Sequence, residues 1–320
     1  METLPRIEEA EVIQPGGLPL PADLEGRVEF LHITHEDVKL RVMLAVASDE
    51  PRGSIIFSPG RTEFIEKYLE TTADFVRRGF NVLIVDPRGQ GLSQRLTDDP
   101  LKSWVKDFQD YADDFAFAAD VFKARLPKPY IAMGHSMGGT IVLQAVISEA
   151  FRPSAVVCSA PMLGLHDIET PVLAWSIRIV SALGFSTRNL PYQRQRNGQP
   201  IPFNGNKLTS DETRYTAWSK YFQTENRLRV GQPTFGWIVA GLKSMRYVNS
   251  NAPKVKIPGL IVAAGADPIV DPASNANFAK KAGIDFAVVP GALHELFLER
   301  DKYRNQFFEI FEAFLEKNAL

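Results

Sequence analysis

The chain of 320 residues contains one cysteine, Cys158. A single thiol cannot form an intrachain disulfide, so the sequence is not a disulfide-stapled scaffold, and a reducing compartment is allowed. Cys158 closes a short apolar run at 155–158. We interpret it as a buried strand residue with no chemical role.

No apolar run approaches the roughly 18 uninterrupted residues of a membrane-spanning helix. The first ten residues mix acidic and basic side chains and lack the apolar segment of a secretory signal peptide. We therefore expect a cytoplasmic protein. Any contact with the inner membrane surface would be peripheral and made through the helical cap predicted below, and the sequence does not indicate an oligomeric state.

Charge is nearly balanced, with 36 basic and 38 acidic residues and a formal net charge of -2. This balance argues against nucleic acid as a partner, because binding through phosphate contacts needs a basic surplus. The chain also lacks a phosphate-cradling loop, a dinucleotide fingerprint, an H-E-x-x-H motif and a Cys/His cluster. We expect neither a cofactor nor a metal.

The residues that are present predict an α/β protein. Apolar residues make up 45% of the chain, which is enough for a substantial core. Continuous apolar runs alternate with helical patterns, as is typical of a mostly parallel sheet covered by helices on both faces. A β-hairpin precedes them, which gives eight strands in all. These strands are predicted at 27–34, 38–47, 52–58, 80–85, 130–134, 155–159, 257–264 and 286–289.

Two segments depart from this alternation. Residues 1–26 are rich in proline and glutamate, and we interpret them as an extended N-terminal arm. Residues 161–253 lose the strand pattern, and we interpret them as a helical cap inserted over the strand ends. The ranges 27–160 and 254–320 form the predicted core domain.

The predicted cap is rich in aromatic residues. Most of them are expected in its own core, and some are expected to line an apolar groove for an acyl chain. They are Trp175, Phe185, Tyr192, Phe203, Tyr215, Trp218, Tyr221, Phe222, Phe235 and Trp237.

The strongest motif is Gly134-His135-Ser136-Met137-Gly138, which fits G-x-S-x-G. An apolar strand precedes it and a helical pattern follows it, as expected for a nucleophile elbow. Such a turn strains the backbone of its serine, and glycines on either side leave room for the turning chain. The N-terminus of the following helix favours a developing negative charge. Ser136 is therefore the candidate nucleophile.

A serine hydroxyl needs a base within hydrogen-bond reach, and that base needs an acid to orient it. For this type of elbow the acid and then the histidine follow the serine along the chain. Two histidines follow Ser136, namely His166 at the start of the cap and His294 in a loop after a strand. We assign His294 as the general base. His135 adjoins the serine, but its side chain is expected to point elsewhere and to be structural.

The orienting acid should follow the strand at 257–264. Asp267 lies in that position and is the candidate. Asp271, four residues later, is the alternative, although it could instead cap the helix that begins at Pro272. Glu295, next to the assigned base, is interpreted as structural.

The tetrahedral intermediate of acyl transfer carries an oxyanion, which needs two convergent N–H donors. The amide of Met137, directly after the nucleophile, is the first candidate. The loop after the strand at 52–58 supplies the second, and we assign the amide of Arg61, because Pro59 has no N–H and Gly60 allows the turn. The side chain of Arg61 could meet a phosphate, pair with Glu63 or lie at the surface, and these alternatives stay open.

Three stretches together resemble an α/β-hydrolase. They are the elbow, the loop Asp86-Pro87-Arg88-Gly89-Gln90-Gly91-Leu92-Ser93 and the end Gly291-Ala292-Leu293-His294-Glu295. Within that superfamily the chain is most similar to the monoacylglycerol lipase and bacterial lysophospholipase group, also called serine aminopeptidase-like hydrolases. The stretch Pro59-Gly60-Arg61-Thr62-Glu63 resembles the bacterial lysophospholipase form of the loop. The resemblance covers about 27–320 and is weak through the cap.

This resemblance implies an α/β-hydrolase fold with a mostly parallel eight-stranded sheet and an inserted helical cap. It implies a small-molecule or lipid ester as the partner, and hydrolysis of a single-acyl lipid through an acyl-enzyme, with Ser136, Asp267 and His294 as the triad. The alternatives are a peptidase, thioesterase or small-ester esterase with the same triad, and a cofactor-free haloperoxidase or lyase. A non-catalytic binding module is disfavoured, because all three triad residues are intact.

Overall fold

The computed structural model describes residues 7–12, 20–47, 50–166, 180–189 and 198–320. Trp175 and Tyr192, which were assigned to the cap, lie outside these ranges, as does part of the arm at 1–26. Within the described ranges every helix is too short or too polar to span a bilayer.

A single sheet forms the centre of the molecule, and nine of its strands are described. In chain order they are β1 (Ile7–Glu9), β2 (Val28–His35), β3 (Val38–Ala45), β4 (Gly53–Ser58), β5 (Phe80–Val85), β6 (Tyr130–His135), β7 (Ala155–Ser159), β8 (Gly259–Ala264) and β9 (Asp285–Val289). Across the sheet they follow the order β1-β2-β3-β5-β4-β6-β7-β8-β9. The pairings from β5 to β9 in this order are parallel, whereas β1, β2 and β3 pair antiparallel.

Eight strands are predicted from the sequence, and this number is wrong by one. The additional strand is β1, which lies in the predicted arm and pairs with β2, with Ile7 opposite Ile33. Three residues are too few to show an alternating pattern, and Ile7 is 47% exposed, so main-chain pairing rather than burial defines this strand. The mostly parallel sheet with helices on both faces is confirmed.

Helices cover both faces of the sheet. The α-helices are α1 (Leu69–Arg77), α2 (Phe108–Val121), α3 (Met137–Ile147), α4 (Glu212–Ser219), α5 (Tyr221–Thr224), α6 (Phe235–Ser250), α7 (Pro272–Ala282) and α8 (Asp301–Asn318). Short 3-10 helices occur at Ala22–Leu24, Ile65–Tyr68, Asn226–Leu228, Ala252–Lys254 and Leu296–Leu298, and a π-helical turn occurs at Ser181–Phe185. Helices α1 and α8 pack on one face, and α2, α3, α6 and α7 pack on the other.

Strand β4 shows how the sheet is buried on both sides. Ile55 and Phe57 face the core beneath α1 and α8, and Ile56 faces the core beneath α2 and α3. These alternating apolar side chains leave the strand almost without exposure, as expected for a central parallel strand. Ser58 pairs with Gly134 on β6, so the end of β4 lies directly beside the elbow.

Between β7 and β8 the described residues form helices, turns and isolated bridges rather than sheet strands. Helix α6 lies within the predicted 161–253 insertion and packs on α2, where the rings of Trp237 and Phe108 are 5.6 Å apart. Helix α5 packs on the loop after β4 through Phe222 and Phe64, whose rings are 5.4 Å apart. The division of the chain into a core and a cap stays a prediction.

A buried ion pair ties the loop after β4 to the sheet. Arg41, on β3, is fully buried and donates hydrogen bonds of 2.6 and 3.1 Å to the carboxylate of Glu66. Asp86, after β5, accepts from the N–H of Ile65 at 2.9 Å, and its carboxylate lies 3.7 Å from Arg41. Burial raises the pKa of Asp86 to about 7, although Arg41 acts in the opposite direction. The 3-10 turn is therefore held by two buried side chains, Arg41 on β3 and Asp86 directly after β5.

We expect Arg41→Met to lower the free energy of unfolding by about 3–5 kcal/mol, because it leaves the Glu66 carboxylate buried without its cation. Urea denaturation measures this loss. Arg152→Met is the matched control, since Arg152 is exposed and pairs with exposed Glu149. A loss below about 1 kcal/mol is expected there. Equal losses in the two variants would contradict the importance of the buried pair.

Candidate active site

Ser136 occupies the sharp turn between β6 and α3. Its backbone φ of 53° and ψ of -119° lie outside the helical and extended regions, a conformation that an L-residue adopts at a cost. Its N–H donates to the carbonyl of Ser159 at 3.0 Å, and its carbonyl accepts from the N–H of Met162 at 2.9 Å. These bonds to β7 and the residues after it hold the strained turn.

Both glycines of the motif are required by close approach of the backbone. A Cβ on Gly138 would overlap the carbonyl oxygen of Ser58, at the end of β4. A Cβ on Gly134 would overlap the carbonyl group of Gly138. The first turn of α3 therefore lies against the strand end, and its unpaired N–H groups and positive dipole end lie next to Ser136.

The side chains of Ser136, His294 and Asp267 form a hydrogen-bonded chain. His294 Nε2 lies 2.9 Å from Ser136 Oγ, and His294 Nδ1 lies 2.6 Å from Asp267 Oδ2. His294 and Asp267 are 4% and 7% exposed. When Nδ1–H is donated to the carboxylate, Nε2 presents its lone pair to the hydroxyl. Such an arrangement can accept the proton of the serine.

The two candidate acids occupy different environments. The other oxygen of Asp267 accepts from the N–H groups of Ile269 and Val270 at 2.8 and 3.0 Å. Burial opposes ionisation of Asp267, but the hydrogen bonds from His294 and these amides outweigh it and lower its pKa. Asp271 instead caps α7 by accepting hydrogen bonds from its first-turn amides. Of these two acids, only Asp267 forms a hydrogen bond with His294.

The loop after β4 returns to the nucleophile. A Cβ on Gly60 would lie 3.2 Å from the Cβ of Ser136. The side-chain amide of Gln90 donates to the Gly60 carbonyl at 2.6 Å and holds the loop in place. The N–H groups of Arg61 and Met137, the two predicted oxyanion donors, donate to no other residue in the described part of the chain. Both donors are therefore free to meet a ligand atom.

Three charged side chains are buried beneath this loop. Glu63 accepts from the Gly60 N–H and from the Tyr68 hydroxyl, each at 2.5 Å. Lys67 Nζ lies 3.0 Å from Glu63 Oε1 and 2.6 Å from Glu295 Oε1. All three charged residues are at most 6% exposed. Lys67 therefore joins the loop after β4 to the loop after β9.

The shared cation leaves the two carboxylates in different states. Burial raises the pKa of Glu63, but the positive charge of Lys67 and the hydrogen bonds from Tyr68 and Lys67 outweigh it, and the pKa is lowered. For Glu295 burial dominates, and the pKa is raised in spite of Lys67. Glu63 is therefore the firmly ionised partner of Lys67, and Glu295 takes up a proton more readily.

His135 lies beside the hydrogen-bonded chain without belonging to it. Its Nδ1 is 3.1 Å from the carbonyl of Ser159, and its ring centroid is 4.8 Å from that of His294. Burial lowers the pKa of His135 to about 4, so the ring is neutral at neutral pH. It supports the site by packing against the ring of His294.

A cavity of about 550 Å³ opens over Ser136, with Arg61 and His294 in its wall. Much of the remaining wall is apolar, including Met162, Leu165, Trp218, Phe222, Val230, Trp237 and Ile269. A mostly apolar cavity with a few polar groups at one point is typical of a small-molecule site. Among the described side chains no group of three or more His, Cys, Asp or Glu is placed to hold a metal.

The sequence alone did not reveal the Lys67 cluster. The apolar pattern over 63–79 predicts a helix, and Glu63 and Lys67 are four residues apart, a spacing at which two side chains can form an ion pair on one helix face. In the structure a 3-10 turn precedes α1, and both side chains are buried. The salt bridge considered between Arg61 and Glu63 is not formed, because Glu63 pairs with Lys67.

The fold and the site together define a class of protein. The sheet has a serine at the elbow after β6, an aspartate after β8 and a histidine after β9, which is the arrangement of the α/β-hydrolases. The crystal structure of a soluble variant of monoglyceride lipase from Saccharomyces cerevisiae, in complex with a substrate analogue, has this fold. Its TM-score is 0.73 at 20% sequence identity, and the match covers 94% of this chain and 99% of that one.

The sequence profile of the family described as serine aminopeptidase, S33, matches residues 49–301, and the chain belongs to this family. Lysophospholipase L2 of Escherichia coli (strain K12) is 30% identical over 290 residues, which cover 84% of this chain and 82% of that protein. The monoacylglycerol lipase of Mycolicibacterium smegmatis is 29% identical over 144 residues, or 44% of this chain and 50% of that protein. The predicted resemblance is confirmed, and the protein is a carboxylic ester hydrolase.

We expect Gly138→Ala to lower the free energy of unfolding by about 1–3 kcal/mol and to reduce hydrolysis of a small ester. The added methyl group overlaps the Ser58 carbonyl and forces α3 away from the strand end. Chemical denaturation and a chromogenic ester assay measure both effects.

Gly241→Ala is the matched control for this change. A Cβ on Gly241, within α6, comes to 3.6 Å from a ring atom of Phe108, an ordinary contact, and alanine favours a helix interior. We expect neither activity nor stability to fall in that variant. If Gly138→Ala equalled Gly241→Ala in activity and in stability, the close approach of Gly138 to the Ser58 carbonyl would not be required.

Proposed function

We propose that the protein cleaves the carboxylic ester of a single-acyl lipid, a lysophospholipid or a monoacylglycerol, through Ser136, His294 and Asp267. The supporting observation is the hydrogen-bonded chain, in which Nε2 of the buried His294 lies 2.9 Å from Ser136 Oγ. A base at this distance is within reach of the hydroxyl proton.

In the first step Ser136 Oγ attacks the ester carbonyl carbon while its proton passes to His294 Nε2. Asp267, whose pKa is lowered by its hydrogen bonds against the effect of burial, stays ionised and stabilises the imidazolium. His294 then gives the proton to the departing alcohol oxygen. The acyl group stays on Ser136 as an ester.

The negative charge that develops on the carbonyl oxygen is received by the N–H groups of Arg61 and Met137. Met137 begins α3, so the positive end of the helix dipole adds to its donor. Glu63 and Gln90 hold Gly60 from its N–H and its carbonyl, respectively. The position of the Arg61 donor therefore depends on the buried charged cluster.

Release of the acid repeats the chemistry with water as the nucleophile. His294 takes a proton from the water molecule, whose oxygen attacks the acyl carbon. The tetrahedral intermediate then collapses, and Ser136 Oγ regains its proton from His294. The products are a carboxylic acid and a free serine, and the alcohol has already left.

The cavity and the relatives support a lipid substrate. A cavity of about 550 Å³ with largely apolar walls suits an acyl chain. The Escherichia coli relative is named a lysophospholipase, and the mycobacterial relative is named a monoacylglycerol lipase. The same three side chains can also cleave an amide, and the family carries the name of an aminopeptidase, so peptide amides are the competing substrate class.

We expect release of fatty acid from a long-chain lysophospholipid, a monoacylglycerol or both. In Ser136→Ala, which keeps the fold but lacks the nucleophile, kcat should fall by up to about 10⁶-fold. Fatty acid titration and thermal melting of both proteins measure this. Peptide amides are assayed in parallel. Cleavage of peptide amides alone would replace the lipid proposal, and full activity in Ser136→Ala would contradict the mechanism.

We expect Asp267→Asn to reduce kcat by about 10⁴-fold, because the amide no longer holds the imidazole in the required tautomer. Asp271→Asn is the matched control, since it changes an acid four residues away that caps α7. It should lower the free energy of unfolding by at most about 2 kcal/mol and leave kcat nearly unchanged. A larger loss of kcat in Asp271→Asn would reverse the assignment of the acid.

A further inference from the structure

The side chain of Arg61 is a cation that the proposed hydrolysis does not use. Its guanidinium lies over the indole of Trp237, 5.6 Å from the ring centroid, and Nη1 donates to the carbonyl of Gly231 at 3.1 Å. Among the described residues no carboxylate forms an ion pair with it. Burial lowers the pKa of Arg61 to about 10, so the side chain stays charged at neutral pH with no described carboxylate paired to it.

Arg61 borders the cavity that contains the candidate nucleophile, as do Trp237 and Gly231, the two residues that its guanidinium contacts. The described charged residues in the cavity wall are Arg61, Glu63, Lys67, Lys207 and Glu295. Lys67 is paired with both glutamates, so neither carboxylate of this set pairs with Arg61 or Lys207, and the three cations outnumber the two carboxylates by one. A partly desolvated cation without a carboxylate to balance its charge is costly, and an anionic ligand would reduce that cost.

We propose, building on the hydrolysis of single-acyl lipids proposed above, that Arg61 binds the phosphate of the substrate and so favours lysophospholipids over monoacylglycerols. A planar guanidinium matches two phosphate oxygens with parallel hydrogen bonds, and four of the five N–H donors of Arg61 form no hydrogen bond with another described residue. A monoacylglycerol offers only neutral hydroxyl groups to this site.

The position of Arg61 in the chain suits this role. Its backbone N–H is the proposed oxyanion donor, so its side chain starts beside the reacting ester. In a lysophospholipid the phosphate is separated from that ester by the glycerol unit alone. One residue can therefore contact the carbonyl oxygen with its main chain and the phosphate with its side chain. Substituting the side chain keeps the backbone donor, so the two contacts can be tested apart.

Kinetics with two lipids that share one acyl chain test this assignment. Oleoyl lysophosphatidylcholine and mono-oleoylglycerol are compared below the concentrations at which they aggregate. We expect Arg61→Gln to lower kcat/KM for the lysophospholipid roughly 10- to 100-fold more than for the monoacylglycerol, mainly through KM. Arg61→Lys keeps the charge and should recover part of the difference. An equal fall for the two lipids, or no fall, would overturn the assignment.

Arg152→Gln is the control for loss of one positive charge. Arg152 is exposed and forms an ion pair with Glu149 on the surface, and it does not line the cavity. The ratio of the two kcat/KM values should stay at its wild-type value in this variant. A change of that ratio as large as in Arg61→Gln would mean that overall charge, rather than the site, sets the preference.

A second measurement separates failure of this inference from failure of the proposed function. Glycerophosphocholine and inorganic phosphate are tested as inhibitors of small-ester hydrolysis. We expect glycerophosphocholine, at least, to inhibit competitively. Its inhibition constant should rise roughly 10-fold or more in Arg61→Gln. Inhibition by both compounds would assign recognition to the phosphate itself, and inhibition by glycerophosphocholine alone would assign it to the phosphate within its head group.

Absence of inhibition in the wild type, or equal inhibition of Arg61→Gln, would overturn the anion site whether or not lipids are cleaved. A protein that cleaves neither lipid but is labelled at Ser136 by a fluorophosphonate would overturn the lipid substrate alone. The inhibition measurement then decides the role of Arg61 by itself.

Discussion

The close contact between the first turn of α3 and the end of β4 is the constraint on which the site depends. Gly138 lies so near the Ser58 carbonyl that no side chain fits between them. This approach leaves Ser136 with a positive φ at the tip of the turn and puts the N-terminus of α3 beside the loop that follows β4. If the helix moved outward, the Met137 amide would leave the site and the serine would no longer meet His294.

Buried charges hold the loops that meet at this point. Arg41 and Glu66 fix the 3-10 turn against the sheet, and Lys67 connects Glu63 in one loop with Glu295 in another. Buried ion pairs of this kind add little net stability, because desolvation offsets the attraction, but they are costly to break. Their effect is therefore to hold loop positions, and the proposed oxyanion donor depends on one of those positions.

Much of this architecture could be predicted from local patterns. The bounds of strand Phe80–Val85 and the start of the helix at Pro272 agree with the sequence prediction, because continuous apolar residues mark the strand and the Asp-Pro start marks the helix. Strand β1 and the 3-10 turn at Ile65–Tyr68 were missed. Both are short, and both are defined by contacts with distant segments rather than by their own periodicity.

The candidate site likewise has one part that local sequence predicts and another that only the fold reveals. Ser136 could be identified from its motif, since the glycine spacing reflects a strictly local steric requirement. The choice between Asp267 and Asp271 stayed open, because both follow the same strand and only one lies at the histidine. Whether Arg61 pairs with Glu63 could not be read from their spacing, because in the fold Glu63 pairs with Lys67, which also binds Glu295 from a distant loop.

The sequence by itself determined the class of fold, the elbow and the order of the three candidate catalytic residues along the chain. These depend on alternating apolar runs, glycine spacing and chain order, which are local properties. Only the tertiary structure decided which acid contacts His294 and which cation stays without a carboxylate at the described cavity. Burial and ion pairing depend on contacts between segments that are distant in the chain. Lys67 and Glu295, for example, form an ion pair although they are 228 residues apart.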